Sequence, residues 1–225
     1  MNLCCVNLQQ VNYLAHAYLS FDIPDVAVGN LISDFIKGRH KFDYPSTIRT
    51  GIDLHRAIDT FTDTHPAVKE AKKAFKPDYG LYSSPLVDIA FDHFVANDPL
   101  VFPDPTSLPA FASRTYDQLQ TRSSLFPDRF SRLFPYMREQ DWLTGYRAKE
   151  GIFASFGGLA RRATYMPPPS RACTLFEAHY QHIKDSYTAF FPDLKAYARR
   201  TLAELEAGWE GDPRPGNGMD PGKFE

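Results

Sequence analysis

The segment S-T-I-R-T-G-I-D-L-H-R-A-I-D-T-F-T-D, residues 46–63, decides the fold, because its apolar and polar residues share one helical face. Its isoleucines recur at the spacing of an α-helix: Ile48, Ile52 and Ile58. Each residue advances about 100° around a helix axis, which places His55 and Asp59 in the middle of the isoleucine stripe. Because an ionised carboxylate is costly to bury unless it is paired or binds a metal, we expect this face to carry a site as well as a core.

Helical spacing of apolar residues continues along the chain, and no stretch alternates with the period of two that marks a strand. Ser46 is expected to cap the helix described above, and Pro66 to begin the next one. Further helices are predicted over 25–38, 85–97, 109–121, 128–138, 141–163 and 174–206. These elements predict one all-α domain, a helical bundle over residues 12–207, with an N-terminal extension at 1–11 and a flexible tail at 208–225.

The composition is that of an ordinary globular protein and excludes several classes. Hydrophobic residues make up 43% and charged residues 23% of the 225 residues, which excludes wholesale disorder. A net charge of −2 argues against a large nucleic-acid-binding surface. No apolar run reaches the roughly 20 residues of a membrane span, and residues 1–10 do not resemble a secretory signal. Three cysteines without metal-ligand spacing favour reduced thiols, so we expect a cytoplasmic protein.

A second informative segment is L-V-D-I-A-F-D-H-F-V-A, residues 86–96, which is apolar nearly all round and predicts a buried central helix. Other helices also bring polar side chains to interior or semi-interior positions. With those of residues 86–96, the set is His16, Asn30, Asp34, Asp88, Asp92 and His93. Clustered imidazoles and carboxylates are ligands suited to Mn²⁺, Fe²⁺, Zn²⁺ or Mg²⁺. The alternative is a buried hydrogen-bond network without a metal, and the spacing does not choose the reaction.

Five short motifs occur in order along the chain. They are N-Y-L-A-H (12–16), G-N-L-I-S-D-F (29–35), G-I-D-L-H-R-A-I-D-T-F-T-D (51–63), D-I-A-F-D-H-F (88–94) and G-G-L-A-R-R (157–162). Together they resemble the acyl carrier protein phosphodiesterase family, from about residue 11 to about residue 198. The resemblance implies an all-helical fold of the HD-type phosphohydrolase kind. It also implies a divalent metal, typically Mn²⁺, and removal of 4′-phosphopantetheine from the serine of holo-acyl carrier protein.

The resemblance also implies roles for particular residues. Asp34 corresponds to a residue that the family needs for activity. Positions that match its metal site are His16, His55, Asp59, Asp92 and His93. This chain departs from the family at two positions: Val11 occupies the place of the usual initiating Met, behind ten extra residues, and Tyr18 stands where a relative has a second histidine.

We therefore expect a divalent ion, Mn²⁺ ahead of Mg²⁺ or Fe²⁺. Its expected ligands are drawn from His16, Asp34, His55, Asp59, Asp88 and Asp92. Asp34 is also expected to act in catalysis, with His93 moving a proton at the leaving serine oxygen. Arg56, next to His55, is expected to offset charge on the phosphate oxygens.

Acyl carrier proteins are strongly acidic, so an enzyme for them needs a local basic surface. Lys69, Lys72, Lys73 and Lys76 share one face of a short helix and are the predicted contact, with Arg161 and Arg162 as further candidates. No nucleic-acid or membrane partner is expected. Two other functions stay open: an HD-type phosphohydrolase of nucleotides or other small phosphoesters, and a non-enzymatic helical module that binds acidic proteins.

Overall fold

A computed structural model describes residues 12–210, and that part of the chain is helical without a strand. The α-helices are α1 (Tyr13–Tyr18), α2 (Pro24–Ile32), α3 (Ser46–Thr64), α4 (Pro66–Lys72), α5 (Lys76–Tyr79), α6 (Ser83–Ala96), α7 (Ser107–Gln120), α8 (Asp128–Glu139), α9 (Trp142–Gly145), α10 (Lys149–Arg162), α11 (Pro169–Ala178) and α12 (Tyr180–Glu210). Short 3₁₀ helices occupy Ser33–Phe35, Gly38–Asp43, Gly80–Tyr82 and Ser123–Leu125.

Helices α2 and α3 form the most extensive helix pair, and α12 packs along α3, α4 and α6. Glycines bring the backbones of α2 and α3 into direct contact. A Cβ on Gly29 would lie 2.0 Å from the carbonyl oxygen of Ile48, and one on Gly51 would lie 2.2 Å from that of Val26. Because a side chain at either position would collide with backbone, the glycines set the distance between the two helices.

Helix α6 runs through the core, as its apolar composition predicts, and packs against α1, α10 and α12. The side chains of Asp88, Asp92 and His93 on this helix are all buried. The carboxylate of Asp92 accepts the backbone N–H groups of Leu14 at 3.0 Å and Ala15 at 2.8 Å. These are first-turn N–H groups, which an α-helix leaves without internal partners, so Asp92 fixes the start of α1 to α6.

The predicted single all-α fold is confirmed. Helix α4 begins at Pro66, and the helices predicted over 85–97, 109–121 and 128–138 are present with ends within two residues of those positions. The helix predicted over 25–38 is wrong in extent, because α2 ends at Ile32 and the chain tightens into a 3₁₀ turn. There the hydroxyl of Ser33 donates to the carbonyl of Ile52 and fastens the turn to α3.

Two longer helices predicted from the sequence are each divided. Extended backbone at Ala148 separates α9 from α10 within the stretch predicted over 141–163. His179 separates α11 from α12 within the stretch predicted over 174–206. Ser46 is the first residue of α3 and not its cap, because extended Pro45 holds the cap position. Helix α12 runs to Glu210, and the predicted extension at 1–11 and the rest of the predicted tail lie outside the described residues. None of the described helices is both long enough and apolar enough to cross a membrane.

Candidate metal centre

Three side chains meet between α1 and α3, and we call them the His/Asp triad: His16, His55 and Asp59. One ligand-capable atom from each lies within 4.8 Å of those of the other two. Nε2 of His16 is 3.4 Å from Oδ1 of Asp59, and Nε2 of His55 is 3.2 Å from Oδ2 of the same carboxylate. The two imidazole rings stack with their centroids 4.1 Å apart. The ligand-capable atoms of the three side chains therefore converge on one small volume.

Asp34 approaches the triad from the 3₁₀ turn that follows α2. Its Oδ1 lies 3.3 Å from Nε2 of His55. The side chains of Asp34 and Asp59 are 24% and 26% exposed, whereas those of His16 and His55 are 3% and 6% exposed. The site is thus closed on its imidazole side and reaches solvent on its carboxylate side, where a substrate could enter.

Asn30, on α2, fixes the tautomer of His16. Its side-chain amide donates to the carbonyl oxygen of His16 at 2.9 Å and to the hydroxyl of Ser20 at 3.1 Å, which orients the amide. The remaining amide oxygen therefore accepts from Nδ1 of His16, at 2.7 Å. With the proton on Nδ1, Nε2 presents a lone pair to the centre of the triad, as a metal-ligating histidine does.

No described residue donates a hydrogen bond to this lone pair on Nε2. Nε2 of His16 is buried, and its approach to Asp59 lacks hydrogen-bond geometry, so it has no hydrogen-bond partner within residues 12–210. A buried nitrogen left without a partner is costly unless something else satisfies it. Two imidazole nitrogens and a carboxylate facing one point form a donor set that fits a divalent cation.

Charge at the site is strongly coupled. Burial alone would lower the pKa of His55, but the charge of Asp59 and the hydrogen bonds to Asp34 and Asp59 outweigh burial and raise that pKa to about 10. Burial alone would raise the pKa of Asp59, but the charge of His55 and the contact with His16 hold it well below its usual range. In the absence of a metal ion, a protonated imidazole therefore supplies the positive charge that the carboxylates require.

Comparison with known proteins agrees with the resemblance drawn from the motifs. The family model for acyl carrier protein phosphodiesterase matches residues 11–194. The chain belongs to the acyl carrier protein phosphodiesterase family. It is 34% identical to the acyl carrier protein phosphodiesterase of Yersinia pestis over 191 residues, covering 84% of this chain and 98% of that protein. The corresponding protein of Photorhabdus laumondii is 32% identical over 185 residues, covering 81% of this chain and 92% of that protein. No solved structure matches the chain.

The structure places two other predicted ligands of this family member behind the triad, on α6. Asp92 is engaged with the backbone of α1 and also hydrogen-bonds to Tyr146. Burial raises the pKa of Asp92 to about 8, against the lowering effect of those bonds. Asp88 is buried, and its Oδ2 has no hydrogen-bond partner in the described part of the chain. Burial, followed by the charge of Asp59, raises its pKa well above the ordinary value. Neither Asp88 nor Asp92 belongs to the group of side chains that lie close enough together to hold one ion, which is the triad itself.

His93, the predicted proton carrier, faces a different neighbourhood. Its Nδ1 lies 2.9 Å from the carbonyl oxygen of Tyr146 and its Nε2 lies 3.0 Å from the hydroxyl of Tyr180. Burial is the main cause that lowers the pKa of His93. Because a carbonyl can only accept, Nδ1 carries the proton. The imidazole thus joins α6 to the segments at Tyr146 and Tyr180, and its predicted catalytic role stays a prediction.

The predicted basic residues differ in what opposes their charge. Arg56 lies 4.0 Å from the carboxylate of Asp53, donates to the carbonyl of Ile36 at 3.2 Å and is 39% exposed, beside the turn that carries Asp34. Lys72 pairs with Asp63 at 3.0 Å, and Lys73 pairs with Glu70 at 2.7 Å. The four lysines do not share one helix as predicted, because α4 ends at Lys72, the chain turns over 73–75 and Lys76 begins α5. The lysine face is therefore divided between two helices, and two of its members have their charge opposed. The other two, Lys69 and Lys76, are exposed and form no ion pair with any described residue.

Sequence reasoning noticed Asn30 but missed its role, and it missed Tyr13 altogether. Burial raises the pKa of Tyr13, the charge of Asp34 raises it further and that of Arg162 opposes the rise. The pKa of the Tyr13 phenol is thus affected by charges both at the candidate site and at the end of α10. A buried asparagine one helical turn before Asp34 was the available signal for Asn30, whereas nothing local in the sequence relates Tyr13 to α10.

Proposed function

We propose that this protein is a metal-dependent phosphodiesterase that hydrolyses the bond between 4′-phosphopantetheine and the serine of holo-acyl carrier protein, giving apo-acyl carrier protein. The observation that carries the proposal is the convergence of His16, His55 and Asp59, with Asp34 beside them, at a site open on its carboxylate side. Family membership supports the reaction class and the substrate, because the relatives are named for that activity.

The three residues of the His/Asp triad would hold the ion, with Asp34 at its open side. A divalent ion bound there would supply Lewis acidity toward a phosphoryl oxygen and make water a better nucleophile near neutral pH. Mn²⁺ is the proposed ion ahead of Mg²⁺ or Fe²⁺. The two imidazoles argue against Mg²⁺, which prefers oxygen ligands alone, and the family resemblance is what favours Mn²⁺ over Fe²⁺.

The protein's own groups have separate tasks in this mechanism. Asn30 keeps the proton of His16 on Nδ1, so that Nε2 faces the reaction centre. Asp34 would accept a proton from the attacking water or orient that water, a role supported by its position 3.3 Å from Nε2 of His55. Arg56 lies beside the turn of Asp34, and its guanidinium would oppose charge that builds on the phosphate oxygens.

Basic residues around the opening of the site would contact the protein substrate. Lys69 and Lys76 on the lysine face carry charge that no described carboxylate opposes. Arg162 adds charge near Tyr13, and Arg161 adjoins it at the exposed end of α10. Such a surface would steer an acidic carrier protein toward the site in spite of the net charge of −2. We place this activity in the cytoplasm.

Intact-mass spectrometry of holo-acyl carrier protein incubated with this protein and Mn²⁺ tests the proposal. We expect loss of the phosphopantetheine mass, no loss in EDTA and no loss with Asp34→Ala. Asp43→Ala, an exposed aspartate on a neighbouring 3₁₀ helix, is the matched control and should remain active. Metal binding without mass loss would overturn the substrate and move the assay to nucleotides and small phosphoesters. Mass loss that persists in EDTA would overturn the metal dependence.

A further inference from the structure

We propose that a cleft on the side of α1 opposite the His/Asp triad binds a small amphiphilic anion, an acidic head group carried on a short apolar chain. The cleft has a volume of about 410 Å³ and lies where α1, α7 and α12 meet. Tyr18 lines it and follows His16 by two residues, which is about 200° around the helix. The cleft and the triad therefore occupy opposite sides of α1, and the proposal does not depend on the hydrolase activity.

Positive charge dominates the mouth of this cleft. It is lined by Arg114, Lys195 and Arg199, with Asp22 as the one carboxylate among its lining residues. Asp22 lies 3.6 Å from Arg114 and opposes that charge. Lys195 donates to the hydroxyl of Tyr18 at 2.6 Å, and the guanidinium of Arg199 lies 4.4 Å from the centre of the Phe21 ring.

The two cations of α12 are thus held by neutral groups. Among the side chains of residues 12–208, no carboxylate lies within 4 Å of either Lys195 or Arg199. They are one helical turn apart and face the same cleft, so one anionic group could contact both. Both also lie beyond residues 11–194, the stretch that the family model matches.

The wall of the cleft is aromatic. The rings of Phe102 and Phe111 are buried with centroids 5.5 Å apart. The ring of Tyr18 lies 6.0 Å from the first and 6.3 Å from the second. A cleft with an apolar wall and a few convergent charged groups is the usual form of a small-molecule site, and its volume falls in the range of such sites. An anion without an apolar part would leave this wall unused.

The backbone at the edge of the cleft is strained. Phe21 and Asp22 have φ angles of 52° and 59°, in the left-handed region that side chains with a Cβ rarely adopt. This strained turn directs both residues to the cleft, one under Arg199 and the other toward Arg114. Strained residues persist where surrounding structure holds them, and they concentrate at ligand sites.

Isothermal titration of the full chain with octyl phosphate, in EDTA to keep metal from the triad, tests the proposal. Inorganic phosphate and 1-octanol are the companion probes. We expect one saturable site for octyl phosphate and much weaker binding of both companions. Lys195→Ala and Arg199→Ala should each weaken binding by about tenfold, as expected for loss of a hydrogen bond to a charged group. Arg200→Ala, the adjacent exposed arginine, is the control for charge and should bind normally.

A bulky substitution at the rim locates the site without removing a charge. Ala110 is exposed and lines the cleft, so Ala110→Trp should block binding, whereas Ser113→Trp on the same helix should not. Absence of saturable binding by the wild type, or equal binding by Lys195→Ala and Arg199→Ala, would overturn the proposal. Equally tight binding of 1-octanol would remove the requirement for an anion. Equally tight binding of inorganic phosphate would remove the requirement for an apolar chain.

Discussion

Replacing Gly29 by alanine should damage the candidate site from a distance, through the crossing of α2 and α3. The added Cβ would lie 2.0 Å from the carbonyl oxygen of Ile48, where ordinary contact begins at 3.4 Å, so the backbones must separate by about 1.4 Å. Asn30, the next residue on α2, holds His16, whereas His55 and Asp59 belong to α3. Contacts of 3.2 to 3.4 Å within the triad cannot survive a relative shift of that size.

Gly29→Ala should lower the free energy of unfolding by about 3 kcal/mol or more, the largest loss that is usual when a core is overpacked. In a protein of this size that corresponds to a melting temperature lower by about 6 to 12 °C. Thermal unfolding followed by circular dichroism measures this change, and the electron paramagnetic resonance signal of free Mn²⁺ measures binding. Gly208→Ala, on α12 with no neighbouring atom within 4 Å of the added Cβ, is the matched control and should melt at or slightly above the wild type, because alanine favours a helix over glycine. If Gly29→Ala melts within about 2 °C of the wild type, a smaller shift than the magnitude of the clash requires, the reasoning about the crossing is wrong.

Four further outcomes follow from the site and its surroundings. The pKa of His55 is raised to about 10, so a metal ion must displace the proton of this imidazole at neutral pH. The affinity for Mn²⁺ should therefore fall about tenfold for each pH unit between pH 9 and pH 7, and an affinity that does not change with pH would contradict this. Asn30→Ala should weaken Mn²⁺ binding by about 10- to 100-fold through loss of the fixed tautomer, and unchanged affinity would exclude that role. Asp92→Ala leaves two first-turn N–H groups of α1 without their acceptor and should cost about 2 to 5 kcal/mol in urea unfolding, whereas a loss below 1 kcal/mol would show that water replaces it. Charge reversal at Lys69 and Lys76 should raise KM for holo-acyl carrier protein and make KM less dependent on salt, without changing kcat. An unchanged KM would show that the lysine face does not contact the carrier protein.

The sequence was sufficient for those features that depend on local spacing. His55 and Asp59 are one helical turn apart, so helix geometry alone brings them together, and both belong to the triad. The same reasoning paired Asp88 with Asp92 correctly as neighbours on a buried helix. It could not tell that Asp92 faces the backbone of α1, because that contact joins residues 77 and 78 positions apart.

Features that depend on packing between helices could not be predicted from the sequence. The 3₁₀ turn after Ile32 replaces a predicted helix, and this turn brings Asp34 to within 3.3 Å of His55. The ion pair that opposes the charge of Lys72 was equally hidden, because Asp63 comes from a different helix. Spacing identifies which residues can share a face, whereas the distances between faces are set by contacts that no periodicity records.

The geometry of the triad is fixed by residues that would not touch a metal ion. Asn30 sets which nitrogen of His16 carries the proton, Asp92 fixes the start of the helix that carries His16, and Gly29 sets how closely the α2 backbone approaches α3. Gly29 and Asn30 act from α2 and Asp92 acts from α6, and all three affect the position of the His16 imidazole. A ligand set built on two helices needs such external supports, because an error of about 1 Å in ligand position is enough to lose a site. Substitutions at these three positions should therefore affect metal binding while every ligand side chain is still present.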